Sequence, residues 1–365
     1  MLPVCHFSNK VCCIGPRARM VVAEVVMVTD QLGNGYDVVV VGGGAAGLNG
    51  ALMLARARRS VVVIDAGAPR NAPAAGVHGL LARDGIPPAE LLERGRAEVR
   101  LYGGHVVSGE VETIARDESG FAVTLGDGRT VRARRLLVAS GLVDELPDVP
   151  GLPARWGRDV VHCPYCHGWE VRDRAIGVLA SGPMSVHQAL LFRQLSADVR
   201  FFSHTMPPTD EQAEQLAARG ITVVDGAVAS LEIVEDRLVG VRLSNGTVIS
   251  REVLAVSSRM VARAIFLAAL GLRPVEHPSG AGEYIPADAT GRTDVPGVWV
   301  AGNVTELTAQ VGNAAAAGAM AGAQINADLV AEETREAVAA YREPFSPASE
   351  ARVSELVTGD RRHGL

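Results

Sequence analysis

The stretch from Tyr36 to Asp65 constrains the fold more than any other part of the chain. Tyr36-Asp37-Val38-Val39-Val40-Val41 is a short apolar run of the kind that forms a strand buried on both faces of a parallel sheet. It runs directly into Gly42-Gly43-Gly44-Ala45-Ala46-Gly47, and Leu48 to Arg58 then has helical patterning. Ser60 to Ile64 is the next strand, and it ends in Asp65. A G-x-G-x-x-G bracketed by strands and closed by an acid about 20 residues on is a dinucleotide-binding βαβ fingerprint in its required context. Gly42 permits the tight turn, Gly44 lets backbone approach a pyrophosphate, and Gly47 lets helix and strand pack closely. The helix start around Ala45 and Ala46 offers free N–H groups and a positive dipole end to phosphate, and Asp65 is placed for ribose hydroxyls.

The second informative stretch is Val161-His162-Cys163-Pro164-Tyr165-Cys166-His167-Gly168-Trp169-Glu170. A C-x-x-C pair can close and reopen a small disulfide ring, storing and releasing two electrons through thiolate chemistry. His162 and His167 flank the pair, and an imidazole can take a thiol proton or, when charged, favour the thiolate. Half a zinc site needs a second ligand pair, and none follows. Cys163-x-x-Cys166-His167 also fits c-type haem attachment, which needs an export signal that is not evident. A static disulfide is out of place in a chain that reads as cytoplasmic. Redox activity is the favoured reading, with no metal.

Of five cysteines, Cys5, Cys12 and Cys13 lie in the first thirteen residues, so there is no extracellular disulfide framework. A net charge of −6 argues against a nucleic-acid surface, and no apolar run is long enough to span a membrane.

Elsewhere the chain alternates strands and helices. The loop after Asp65 is long for a compact domain, and Arg70, Asn71 and His78 in it are candidates to line the cofactor, with ordinary loop polarity as the equal alternative. Glu90 to Leu101 reads as a helix. Val106–Val111, Phe121–Leu125 and Thr130–Arg132 read as an antiparallel meander, and Leu136 to Gly141 as a buried strand whose small residues, including Ala139 and Gly141, admit a ligand. Proline and glycine between Pro147 and Pro153 mark a domain boundary. A second βαβ unit follows: Ala175–Leu179, a helix from Met184 to Leu195, then Val199–Phe202. Its fingerprint has decayed, with Ala180 and Ser185 at glycine-type positions and Ser203-His204-Thr205 where an acid or an arginine pair belongs. Ala262 to Leu272 reads as helical. Thr293 to Asn303 ends a strand in small residues, Gly302 and Asn303 among them, and Gln310 and Val311 lead into an Ala/Gly-rich helix from Asn313 to Val330. That helix either aims its N-terminus at a ligand or is simply a tightly packed core helix.

These parts and their order resemble the low-molecular-weight thioredoxin reductase family. The resemblance rests on Gly42-x-Gly44-x-x-Gly47, on Cys163-x-x-Cys166 just before a second Rossmann unit, and on Val295-Pro296-Gly297-Val298-Trp299-Val300-Ala301-Gly302. It implies an α/β protein of two Rossmann-like, three-layer domains. The FAD domain (36–147 and 270–332) is discontinuous, and the inserted NAD(P)-like domain (148–269) carries the C-x-x-C. Residues 1–35 would be a disordered extension or a start-site artefact, and 333–365 a solvated, charged helical tail. The resemblance also implies a homodimer, FAD held by the residues above, Cys166 facing the flavin and Cys163 exchanging with substrate. Three departures qualify it. His167 stands in place of an acid, Asn303 replaces the aspartate of an A-G-D motif, keeping a side-chain amide donor but losing a charge, and the NADPH loop with its His-Arg-Arg element is missing, so NADP is not expected to bind. Cys-Pro-Tyr-Cys-His-Gly-Trp is similar to the FAD dithiol oxidases of gliotoxin and holomycin biosynthesis, which close disulfides in small molecules and reduce O₂ to H₂O₂. His167, with His162 second, would then serve as base toward a thiol. The alternatives are a reductase of thioredoxin or another disulfide, driven by NADPH or ferredoxin, and a non-catalytic flavoprotein redox sensor.

Overall fold

A computed structural model describes residues 31–342 and 347–359. Residues 1–30, with their three cysteines, and the terminal Arg361-Arg362-His363 lie outside the described residues.

The chain opens with β1 (Gly35–Val41), α1 (Ala45–Arg56) and β2 (Val61–Asp65), the βαβ unit of the fingerprint. Then come α2 (Pro88–Leu101), β3 (His105–Ser108), β4 (Val111–Asp117), β5 (Gly120–Leu125) and β6 (Thr130–Val138). Strands β1 and β2 are buried on both faces. Val39, Val41, Val62 and Ile64 face one core, and Val38, Val40, Val61 and Val63 face the other, under α1.

Two expected strands are drawn differently by the structure. The run Val106–Val111 breaks at Gly109-Glu110: β3 pairs parallel with β2, and only β4 joins the antiparallel meander. Thr130–Arg132 and Leu136–Val138 are one strand, β6. Its first half pairs antiparallel with β5, and its second half lies between β1 and a late strand, parallel to both. The apolar pattern changes along β6 from alternating to continuous because its surroundings change, which is why it reads as two segments.

After β7 (Leu142–Glu145) and α3 (Leu152–Arg155), β8 (Val160–Val161) leads into the four-residue helix α4 (Pro164–His167) that carries the cysteines. Next are β9 (Ile176–Leu179), α5 (Ser185–Phe192), β10 (Val199–Phe202), α6 (Asp210–Ala218) and β11 (Thr222–Val224). Strands β12 (Val228–Val234), β13 (Arg237–Leu243) and β14 (Val248–Ile249) form a small antiparallel sheet before β15 (Val253–Val256). The second parallel sheet has the order β11-β10-β9-β15-β8, so the cysteines follow its edge strand. The expected helix over Met184–Leu195 is confined to Ser185–Phe192.

The chain returns through β16 (Arg259–Ala262), which pairs antiparallel with β7. The expected helix over Ala262–Leu272 is instead the end of β16 and a 3₁₀ segment, Ile265–Leu270, stopped by Gly271 with a positive φ of 81°. Strands β17 (Val275–Glu276), β18 (Gly282–Tyr284) and β19 (Val298–Val300) follow, then α7 (Val311–Arg342) and α8 (Pro347–Gly359). β19 rejoins the first sheet beside β6, so the second sheet is an insertion into the first.

The small residues of α7 let it press on α1. A Cβ on Gly318 would stand 1.9 Å from the Ala46 carbonyl oxygen, so only glycine fits there. The charged stretch after Val330 is not simply solvated. Glu333 pairs with Arg59 and Arg134, while Glu332 pairs with Arg134 and Arg135, tying α7 to the sheet.

Candidate active site

A single cavity of about 1720 Å³ runs from the fingerprint loop past the cysteines to the loop before α5. That volume exceeds the range of about 300–1,000 Å³ usual for one small ligand. At its first end the glycines do three different jobs. Gly42 has φ of 103°, and a Cβ there would lie 2.4 Å from the Ala139 carbonyl oxygen. A Cβ on Gly47 would lie 1.9 Å from the Gly42 carbonyl oxygen, whereas one on Gly44 would meet nothing within 4 Å. Gly44 therefore keeps clear a space that the protein does not fill. It is also the N-cap of α1 and receives no side-chain cap, leaving the N–H groups of the first turn for a ligand.

Asp65 closes the cradle. Its carboxylate accepts from Arg96 at 3.0 Å and from the Gly67 N–H at 3.2 Å, which leaves a further lone pair on each oxygen for a ribose diol. Ala45, Ala46, Asn71, Ala139, Gly141, Gly302, Gln310 and Val311 line the same cavity. Asn303 lines it too, with its amide turned away from the expected use. Nδ2 donates to the carbonyls of Glu306, Leu307 and Ala309 at 3.0–3.2 Å, so the side chain offers a ligand an acceptor oxygen rather than a donor. The open face at Gly44, the uncapped helix and the acid at the end of β2 fit FAD.

The cysteines sit together at the start of α4. Cys163 is its extended N-cap, and Cys166 donates to the Cys163 sulfur across 2.7 Å, both residues being free thiols and half-buried. The Cys166 S–H bond, backbone N–H groups of Cys166 and Tyr165, and the charge of Arg70 bring the Cys163 thiol down to about 7 against the opposing effect of burial. The same sulfur–sulfur contact and burial push the Cys166 thiol up. In the reduced protein Cys163 is therefore the more acidic of the two thiols and Cys166 its hydrogen-bond donor.

Both expected histidines adjoin the pair. Nδ1 of His162 lies 3.1 Å from the Val256 carbonyl, a contact that requires the proton on Nδ1 and leaves Nε2 as an acceptor. Burial lowers its pKa, the Val256 hydrogen bond opposes this, and Arg70 lowers it further against Asp144. His167 differs: both of its ring nitrogens are buried with no hydrogen-bond partner among the described residues. Burial lowers its pKa, as do the neighbouring His78 and His162, against the pull of Glu170.

Arg70 and His78 line the cavity, each tied to an acid. Arg70 makes two 2.7 Å bonds to Asp144, which also accepts from Ser258. Burial raises the Asp144 pKa, but Arg70 and Ser258 outweigh it and hold the carboxyl below its usual range. His78 stands between Asp84, at 3.4 Å, and Glu170, at 3.5 Å.

At the far end of the cavity the second βαβ loop is closed on itself. Ser185 Oγ accepts from the N–H groups of Ser181 and Gly182, both at 3.2 Å, and Ser181 Oγ donates to the Ser257 carbonyl at 2.8 Å. From the same helix, buried Gln188 donates to the His162 carbonyl at 2.6 Å, immediately before Cys163.

Comparison with known proteins agrees with this arrangement. Residues 36–321 match the family described as pyridine nucleotide-disulphide oxidoreductase. The chain belongs to that family. Thioredoxin reductase tcpT from Claviceps purpurea is 30% identical over 319 residues, 82% of this chain and 96% of that protein. Thioredoxin reductase sirT from Leptosphaeria maculans is 29% identical, over 80% of this chain and 93% of its own length. The crystal structure of HlmI is similar, with a TM-score of 0.80 at 46% identity, over 86% of this chain and 98% of that one. The protein is an FAD-dependent disulfide oxidoreductase with the two-Rossmann architecture of thioredoxin reductases.

For such an enzyme, sequence reasoning missed Asp144, Ser258, Gln188 and Glu170. Glu170 lay inside the cysteine motif and could have been noticed. The others act across sequence separations of 74, 114 and 26 residues, for which no local signal exists. Among the described residues no helix is long and apolar enough to cross a membrane.

Proposed function

We propose that this oxidoreductase is a dithiol oxidase that closes a disulfide within a small molecule and passes the electrons to O₂, without NADPH. The observation that carries this reading is the closed second loop. The amides of Ser181 and Gly182, which a dinucleotide phosphate would need, are spent on Ser185. The following strand ends at Phe202 with no acid for a ribose and no arginine pair for a 2′-phosphate.

The reaction balances as a dithiol plus O₂ giving a disulfide plus H₂O₂. A substrate thiolate attacks Cys163 Sγ of the oxidised pair, the bond to Cys166 breaks, and Cys166 leaves as thiolate. The second substrate thiolate attacks the substrate sulfur and expels Cys163. Bound FAD supplies the two-electron carrier between the pair and O₂. His167, whose ring nitrogens have no partner among the described residues, takes the proton of the incoming thiol, and His162 Nε2, left as acceptor once Nδ1 donates to Val256, takes another. The positive charge of Arg70 favours the thiolate at both sulfurs. The partners are a small dithiol and O₂ rather than thioredoxin or ferredoxin, and the working form is a cytoplasmic homodimer.

In air, dithiothreitol should yield H₂O₂ and disulfide in equal amounts, and Cys163→Ser should abolish this while FAD stays bound. Peroxide formation at the wild-type rate in Cys163→Ser would refute the assignment.

A further inference from the structure

The pyrophosphate of FAD carries two negative charges. The cradle at Gly44 meets them with backbone N–H groups and a helix dipole, which supply only partial charge. Three arginines line the cavity, and two of them are already neutralised. Arg70 is held by Asp144, and Arg259 by Glu276 and Glu283. Arg263 is exposed and pairs with no carboxylate among the described residues.

Arg263 stands where β16 has just ended, and its bonds run to two different segments. Its N–H donates to the Gly141 carbonyl at 3.0 Å, and its own carbonyl accepts from Ser140 Oγ at 2.6 Å. The side chain reaches the other way, and Nη1 donates to the Ala68 carbonyl at 3.0 Å. Ser140 and Gly141 follow β6, whereas Ala68 follows β2, three residues after Asp65. In the sheet β1 lies between β2 and β6, and the fingerprint loop begins at the end of β1. Neighbouring strands about 4.8 Å apart put β2 and β6 about 10 Å from each other. A residue anchored at one and bonded at the other therefore spans the end of β1, where the chain turns through Gly42 to Gly44. A guanidinium has five N–H donors, and only the one to Ala68 has an acceptor among the described residues, which leaves four for a ligand.

We propose that Arg263 is a clasp over the FAD pyrophosphate, with its backbone fixed to the end of β6, its guanidinium tied to the loop after β2 and its charge set against the phosphates. It holds the cofactor and takes no part in the thiol chemistry, so it stands whether the enzyme works as an oxidase or as a reductase. Release of FAD requires the link between Arg263 and Ala68 to open.

The test is the rate at which FAD leaves the FAD-loaded protein on dilution, followed by the fluorescence of the freed flavin at low and at high salt. Arg263→Gln should release FAD about tenfold faster than wild type at low salt, the effect of losing one charged hydrogen bond. Salt should speed release from the wild-type protein, because it screens exposed charges, and should speed it much less in Arg263→Gln. Arg263→Lys should keep the wild-type response to salt while releasing FAD faster, since it retains the charge and loses the planar fork. A loop merely propped by the Ala68 bond would instead give faster release with an unchanged salt response. If Arg263→Gln does not fold, phenylglyoxal labelling of the wild-type protein reads the same contact. Arg263 should be shielded while FAD is bound and labelled once it has left, with Arg94 on α2, 55% exposed, labelled equally in both states. Wild-type release from Arg263→Gln, a salt response that the substitution leaves unchanged, or equal labelling of Arg263 with and without FAD would overturn the clasp.

Discussion

The two βαβ loops of this chain start from the same topology and end in opposite chemistry. In the first, Gly44 caps α1 without a side chain and faces open cavity, and Asp65 waits at the end of the next strand. In the second, Ser185 reaches back over the loop and takes the amides of Ser181 and Gly182. The helix that follows has gained another task, since Gln188 holds the carbonyl of His162 beside Cys163. A Rossmann unit whose loop amides are used internally can still serve as a rigid mount for a redox pair. Backbone N–H groups are obligatory donors, and in the second loop one serine oxygen accepts from two of them.

The sharpest way to break this contrast is at Gly47. Gly47→Ala sets a Cβ 1.9 Å from the Gly42 carbonyl, backbone against backbone with nothing flexible to yield. It should cost about 3 kcal/mol, the upper end for overpacking, and FAD should be lost, as flavin absorbance and thermal melting would show.

Gln188→Leu tests the second loop's acquired role. It removes the donor to the His162 carbonyl without touching the cavity's FAD end. FAD should stay bound, while turnover falls about tenfold. The reduced pair gives the accompanying pH readout. The Cys163 thiol lies near 7, below the usual value of about 8.5, so its thiolate is present above that pH and is lost as pH falls through it. Iodoacetamide alkylation should therefore have its midpoint near pH 7 in the wild-type protein, and a higher midpoint in Gln188→Leu. An unchanged midpoint and rate would show that α5 does not position the pair.

Ser185→Gly should have the smallest effect. It restores a glycine-type residue and frees two amides, at a cost of about 1 kcal/mol for the lost side-chain bonds. Because no acid follows at the end of β10, it should not by itself create NADPH binding, which a fluorescence titration would check.

What could be read from the sequence follows the range of the physics involved. The first fingerprint was legible because strand, turn, helix and acid lie within one local unit, and its glycines are required by contacts a few residues apart. Ser185 was legible as a departure but not as a cap, since a serine reaching back to the amides at 181 and 182 depends on the turn the loop adopts. Asn303 was read as an amide donor, and only the course of residues 306–309 shows that its hydrogens are used on carbonyls. Arg70 and His78 were picked out as candidates to line the cofactor, while their partners Asp144 and Glu170 come from distant segments. That the His167 ring finds no hydrogen-bond partner among the described residues is a property of packing, and no spacing rule reports it.

The most direct test of the account is an anaerobic titration of the purified protein, following FAD absorbance as NADPH, NADH and dithiothreitol are added in turn. Bleaching by dithiothreitol and by neither nicotinamide, with H₂O₂ appearing when air is admitted, is the expected result. Rapid stoichiometric bleaching by NADPH would mean that the second loop still binds its nucleotide, and the enzyme would then be a reductase.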